Sequence, residues 1–587
     1  MPSETHTFIL LQTAFASDIG KTQANLRHTA QRRRLICRLK AKMINCRLPF
    51  SYGILFSNEA FAVRNHKGSF MNRTYANFYE MLAAACRKNG NGTAVFDGKE
   101  KTAYRALKQE AEAVAAYLQN IGVKFGDTVA LAVSNSTEFI TAYFAVSAIG
   151  AVAVPMNTFL KNSEYAYILN DCKARFLFAS AGLSKELAGL KAQTPVEKII
   201  WTDKSRPAGE MAEGDAFFED VRRFPEKPDL GRQPRINDLA HIIYTSGTTG
   251  HPKGALISYA NLFANLNGIE RIFKISKRDR FIVFLPMFHS FTLTAMVLLP
   301  IYMACSIILV KSVFPFSNVL KQALLKRATV FLGIPAIYTA MSKAKIPWYF
   351  RWFNRIRLFI SGGAPLAEQT ILDFKAKFPR AKLLEGYGLS EASPVVAVNT
   401  PERQKARSVG IPLPGLEAKA VDEELVEVPR GEVGELIVRG GSVMRGYLNM
   451  PAATDETIVN GWLKTGDFVT IDEDGFIFIV DRKKDLIISK GQNVYPREIE
   501  EEIYKLDAVE AAAVIGVKDR YADEEIVAFV QLKEGMDLGE NEIRRHLRTV
   551  LANFKIPKQI HFKDGLPRNA TGKVLKRVLK EQFDGNK

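Results

Sequence analysis

The chain has 587 residues, enough for two or more hydrophobic cores, and 47% hydrophobic against 24% charged residues excludes a disordered or fibrous protein. A formal net charge of +18 suits anionic partners such as nucleotides, coenzymes, lipid headgroups or nucleic acid, without choosing among them. The five cysteines (Cys37, Cys46, Cys86, Cys172, Cys305) form no CxxC pair and meet no histidine at zinc spacing, which excludes a disulfide framework or zinc module and reads as reduced thiols in a cytoplasmic protein.

The first 70 residues hold eleven Lys and Arg against three Asp and Glu. "FILLQTAFA" is short and lacks the positive flank of a secretory signal. The Arg-rich "QRRRLICRLKAK" leaves a transit peptide or a membrane-surface arm open. The expectation is that residues 1–70 are a basic extension outside the folded enzyme, with Met71 as a candidate start.

From Met71, apolar runs alternate with amphipathic helices. The pattern predicts a helix over Tyr104–Asn120 stopped by Gly122, a strand over Val129–Ser134, a helix over Glu138–Ile149 and a strand at "AVAVP". Further buried strands are expected at 240–245, 281–285, 306–310, 328–332 and 356–361, a βα rhythm around largely parallel sheets. Phe291 to Val310 carries no formal charge and is long enough to span a bilayer, but Pro300 near its middle argues for helix, proline, then strand inside an α/β core. After Glu432 short strands and turns take over, and from Lys484 helices at 498–505 and 540–551 flank strands near Ala512 and Ile526. The fold class expected is α/β: a large N-terminal domain of βα-type sheets with a small β-rich subdomain, then a smaller α+β C-terminal domain.

The strand "LAHIIY" runs into "TSGTTGHPKG". Thr245, Ser246, Thr248 and Thr249 offer hydroxyls, Gly247 lets the backbone approach closely, and Lys253 adds charge, a combination that suits phosphate. It is not a Walker A loop, because Pro252 stands where a glycine is needed and Gly254, not Ser or Thr, follows Lys253.

This stretch resembles the phosphate-binding signature of the adenylate-forming superfamily, which includes acyl-CoA synthetases, firefly-type luciferases and peptide-synthetase adenylation domains. Further signatures follow in order: "SGGAP" (361–365), "EGYGLSEASP" (385–394), "GWLKTGD" (461–467), "VDRKKDLIISKGQNVYPREIE" (480–500) and "LPRNATGKVLKR" (566–577). The resemblance implies an adenine pocket at Gly362, Gly363, Ala364, Gly386, Tyr387 and Gly388. It implies Glu391, with Thr248, as magnesium ligands, and phosphate contact from Ser390, where the family usually has threonine. Asp467 and Arg482 would hold the ribose, Lys484 would be the hinge of a mobile C-terminal domain, and Gly491 would border the coenzyme A channel. Lys573 would enter the site for adenylation and leave for thioester formation, and His289 in "LPMFHSF" would gate acyl pocket from thiol channel. The implied domains are 71–482 for the adenylation core and 483–587 for the lid.

In short-chain members a tryptophan stands where this chain has Gly388. With the apolar set Phe288, Phe291, Phe331, Leu332, Gly333 and Ile334, the glycine suggests an open tunnel for a medium or long fatty acid, as in bacterial fatty acid–CoA ligases, with aryl acids left open. The expected activity is an ATP- and Mg2+-dependent ligation giving fatty acyl-CoA, AMP and pyrophosphate. Transfer to an acyl carrier protein, an aryl-CoA ligase, a lipid-binding protein without catalysis and a luciferase-like oxidoreductase are the alternatives. The stretch "AKIPWYFRWFNRIRLF" (344–359) interleaves aromatics with Arg351, Arg355 and Arg357. This suits peripheral contact with an anionic membrane or, equally, a helix packed on the core; no nucleic-acid module is expected.

Overall fold

The computed structural model describes residues 75–203, 214–245, 251–311, 316–344, 346, 348–489, 492–518, 524–568 and 573–584. The expected basic extension (1–70), Ser246, Gly247, Thr248, Thr249 and Gly491 lie outside them.

Two large sheets dominate the N-terminal body. In the first, Ala216–Phe217, Lys198–Trp201, Phe176–Ala179, Thr128–Ala132, Val152–Pro155 and Leu239–Thr245 run in that spatial order, all parallel, and Lys253–Ser258 closes the edge antiparallel to Leu239–Thr245. In the second, the parallel strands Lys382–Gly388, Leu358–Ser361, Val330–Gly333, Arg280–Val283, Ser306–Leu309 and Thr93–Asp97 lie side by side, with antiparallel strands at both edges. Four-residue strands such as "LFIS" and "VFLG" are buried along their whole length, as parallel strands covered on both faces must be.

Helices between the sheets join them into one core. Thr137–Ala148, capped by the Ser136 hydroxyl accepting the Phe139 N–H at 3.2 Å, is buried from Phe139 to its end. Phe78 meets Tyr143, Tyr259 and Phe263 with ring centroids 5.7, 4.9 and 5.6 Å apart, edge-on or tilted, so three helices interlock on one aromatic cluster.

The expected order of helix, then buried strand, is found, with the strand at Ser306–Leu309, but the helix runs three residues past Pro300. The helix opens into a π-helical stretch at Leu293–Leu298, whose wider turns carry the backbone past the ring, and continues through Leu299–Met303 until Ala304 turns left-handed at φ 58°. Among the described residues no helix is long and apolar enough to cross a membrane.

An antiparallel sheet of Leu416–Val421, Gly434–Gly440, Trp462–Ile471, Ile458–Val459 and Ile477–Arg482 forms the β-rich part. The smaller α+β domain follows. There Val509–Lys518, Glu524–Leu532 and Gln559–Phe562 form a sheet, with Pro496–Tyr504 and Glu540–Val550 packed on one face and Lys576–Asp584 on the other.

Candidate active site

The carboxyl ends of parallel strands from both sheets converge with the last strand of the β-rich part, where open α/β sheets bind ligands. Leu239–Thr245 ends at Thr245, which pairs across the ladder with Lys253. The Thr245 hydroxyl donates to Glu391 at 3.2 Å and the Tyr447 hydroxyl donates to the same oxygen, Oε1, at 3.0 Å. Lys253 lies over the Tyr447 ring, 5.2 Å from its centre. Ser390, next to Glu391, hydrogen-bonds Ser290 at 2.8 Å, so the serine in place of threonine keeps a fixed hydroxyl.

The Gly362–Gly363 turn follows the Leu358–Ser361 strand. The Gly362 N–H donates to the Gly333 carbonyl at 3.1 Å, and Gly363 adopts φ +82°, which favours glycine. A Cβ on Gly362 would come within 3.4 Å of the Phe291 ring, so turn and aromatic wall touch. Ala364 follows on the same turn.

Tyr387 leaves the neighbouring strand between Gly386 and Gly388, and its hydroxyl donates to Asp467 at 2.5 Å. Asp467 is buried and pairs with Arg482 at 3.3 Å, directly opposite it on the antiparallel ladder. Burial, with Asp467 beside it, pushes the Tyr387 hydroxyl well above its usual range. Lys573 arrives from the C-terminal domain, and burial followed by the Arg482 charge lowers its ammonium to about 8, opposed by Asp467 and Asp485. Lys484, in the turn Lys483–Asp485, is also lowered, by partial burial and then Arg482. Tyr387, Asp467, Arg482, Lys484 and Lys573 therefore form one charged group spanning both domains.

His289 caps the short helix Ser290–Thr292, its Nδ1 accepting the Phe291 N–H at 3.3 Å. Burial lowers its pKa to about 4, so the ring is neutral at pH 7 with its proton on Nε2.

One residue of the expected acyl wall changes role, and Gly388 gains a second constraint. A Cβ on Gly388 would sit 2.0 Å from the Pro394 carbonyl oxygen, so the backbone approach itself also favours glycine here. Phe331 is fully buried, with Phe284, Phe359 and Tyr338 rings 5.0, 5.3 and 6.1 Å away, which makes it close-packed core. Phe291 and Ile334 are partly buried beside the Gly362–Gly363 turn, and Phe288 meets Phe159 edge-on with ring centroids 6.4 Å apart. Tyr447 is the neighbour the motifs missed: it is placed by the pairing of its segment with Ala255, a contact across nearly 200 residues that no local signal announces.

Among the described residues no group of three or more His, Cys, Asp or Glu could hold a metal ion. Glu391 alone, with its hydroxyl neighbours, fits a hard cation that keeps most of its shell from phosphate and water.

The AMP-binding enzyme family model matches residues 82–448, and that of the AMP-binding enzyme C-terminal domain matches 498–573. A long-chain-fatty-acid–CoA ligase of Escherichia coli O6:H1 is 32% identical over 541 residues, covering 87% of this chain and 95% of that ligase. A feruloyl-CoA synthase of an Amycolatopsis species is 34% identical over 501 residues, covering 85% and 97%. The crystal structure of an anthranilate CoA ligase with anthranoyl-AMP superposes with a TM-score of 0.79 at 28% identity, covering 87% of this chain and 98% of that one.

Proposed function

The chain belongs to the AMP-binding enzyme family and is an AMP-forming acid–coenzyme A ligase using ATP, and from that premise we propose that its acid is a medium- or long-chain fatty acid. The observation carrying this reading is the uncharged pair Phe291 and Ile334 beside the Gly362–Gly363 turn, which would exclude a second charged group on the acid. The identity to long-chain ligases over most of the chain supports it.

The residues divide the work as follows. Tyr387 stacks on the adenine and Asp467 accepts from the ribose hydroxyls, exchanging its present bond from Tyr387. Arg482 steadies that carboxylate and faces the phosphates. The Lys573 ammonium lies over the α-phosphate, where an acid oxygen attacks phosphorus and the bond to pyrophosphate breaks. A magnesium ion on Glu391 would neutralise charge on the phosphates. In the second step the coenzyme A sulfur attacks the acyl carbon and AMP leaves, with the C-terminal domain (483–587) turned about Lys484 so that Lys573 has withdrawn. His289, neutral and donating from Nε2, stands between the acyl wall and the thiol path.

A second reading, an aryl acid, is favoured by one observation: Phe331 and Tyr338 fill the space behind the Val330–Gly333 strand, which would shorten the pocket. AMP release and thioester formation across acetate to palmitate, with benzoate and ferulate, separates the two. A peak at eight carbons or more supports the fatty acid, and a peak at the aryl acids replaces it.

Peripheral membrane contact is proposed for the Trp348–Phe353 helix. Phe350 anchors it in the core while Arg351, Trp352 and Phe353 all face solvent, the last two 66% exposed, with Arg380 over the Trp352 ring.

A further inference from the structure

Arg407 holds φ +65°, the left-handed region that a non-glycine residue rarely keeps without reason. Its loop is tightly tied. Asn399, 1% exposed, accepts the Lys405 N–H at 3.1 Å and donates to the Ser408 carbonyl at 2.6 Å, while the Ser408 hydroxyl donates to Ile477 at 2.9 Å. The Asn399 N–H also donates to the Glu385 carbonyl at 2.9 Å, joining this loop to the strand that carries Tyr387.

From that constrained turn the Arg407 guanidinium reaches Glu501, on the Pro496–Tyr504 helix of the C-terminal domain, at 2.8 Å. The other Glu501 oxygen accepts from Arg497 at 2.9 Å, and the Arg497 N–H donates to the buried Asp481 at 2.8 Å. Arg497 is 13% exposed and its charge acts on Glu385, a 3% exposed carboxyl in the large domain. Glu385 in turn accepts the Leu366 N–H at 3.1 Å, immediately after the Gly362–Pro365 turn. A line of charged groups thus runs from Asp481 of the large domain, through Arg497 and Glu501 of the C-terminal domain, back to the large domain at Arg407.

We infer that Arg407, Glu501 and Arg497 are positioning residues that hold the C-terminal domain in the orientation placing Lys573 at the site, and so favour the adenylation half-reaction. The inference rests on the two-orientation mechanism proposed above. None of the three touches the reacting atoms; they act through the population of one orientation. With Arg407 62% and Glu501 35% exposed, the outer pair counts as a partly solvated ion pair, typically worth about 0.2–1 kcal/mol, which converts to about 1.4- to 5-fold in that population.

The test measures the two half-reactions separately in the full-length protein: acid-dependent ATP–pyrophosphate exchange, and thioester formation from supplied acyl-adenylate and coenzyme A. The variants are Arg407→Gly, which removes the ion pair while relieving the backbone, Arg407→Lys as the conservative change, and Lys573→Ala as the control. Arg407→Gly is expected to lower exchange relative to thioester formation by about 1.4- to 5-fold, with Arg407→Lys restoring most of the loss. The difference between wild type and Arg407→Gly should shrink in 0.5 M salt, as screening predicts. An unchanged ratio of half-reactions in Arg407→Gly, with Lys573→Ala selective for exchange, overturns this inference alone. Equal loss of both half-reactions in Lys573→Ala overturns the two-orientation mechanism and the inference with it.

Discussion

Lys573 offers a titration that reads the site directly. Its ammonium is lowered to about 8 from 10.5, burial being the main cause and Arg482 the second. At 1.36 kcal/mol per pH unit, keeping the charge in that position costs about 3 kcal/mol before any nucleotide binds. The sign follows from the chemistry: the protonated lysine is the form that stabilises phosphate charge, so adenylation is full below about 8 and fails as pH rises through it. In acid-dependent pyrophosphate exchange, kcat/KM for ATP, which reports the free enzyme, should therefore fall about tenfold per pH unit above that point. Lys573→Arg should move the falling limb beyond the measurable range, because a guanidinium stays charged. Lys573→Gln should lose about 10² to 10³ in rate and lose the limb. A wild-type profile flat to pH 9.5, or the same limb surviving in Lys573→Gln, would refute the assignment of Lys573 to the phosphate.

Three further outcomes can be checked. Burial raises Glu385 to about 7 from 4.5, so the folded protein keeps a proton that the unfolded chain releases, and stability falls as pH rises between those values and is level above. Glu385→Gln should remove that slope and raise the Tm at pH 8 but not at pH 5, with an upper bound on the order of 3 kcal/mol; parallel Tm curves would show the carboxyl to be ionised in the fold. Gly388→Ala should destabilise by about 1–3 kcal/mol through contact with the Pro394 carbonyl, without changing acid preference; a normally stable variant that accepts only shorter acids would restore Gly388 as a pocket wall. Replacing Trp352 and Phe353 together by alanine should reduce co-sedimentation with phosphatidylglycerol vesicles and leave turnover of a soluble acid intact; wild-type protein that ignores such vesicles removes the membrane proposal.

Local chemistry was sufficient for much of this protein. The helix at Tyr104–Asn120 and the strands at Leu239–Thr245 and Leu358–Ser361 lie where periodicity and buried runs put them, to within a residue or two, because each carries its signal within its own length. The ordered motifs likewise announce Glu391, Tyr387, Asp467, Arg482 and Lys573. Their convergence into one charged group is a property of strand order and of the docking of the C-terminal domain, which no window of sequence contains. The helix-then-strand order around Pro300 is legible, but how far the helix runs past the proline depends on how the backbone around it widens, and here π-helical turns precede it. That Gly388 also sits against the Pro394 carbonyl is a distance set across a strand pair. Tyr447 on Glu391 and Arg407 on Glu501 are decided the same way. Elements and motifs follow from neighbours in the chain; which carboxylate meets which cation follows from backbones that approach only after the sheets have assembled.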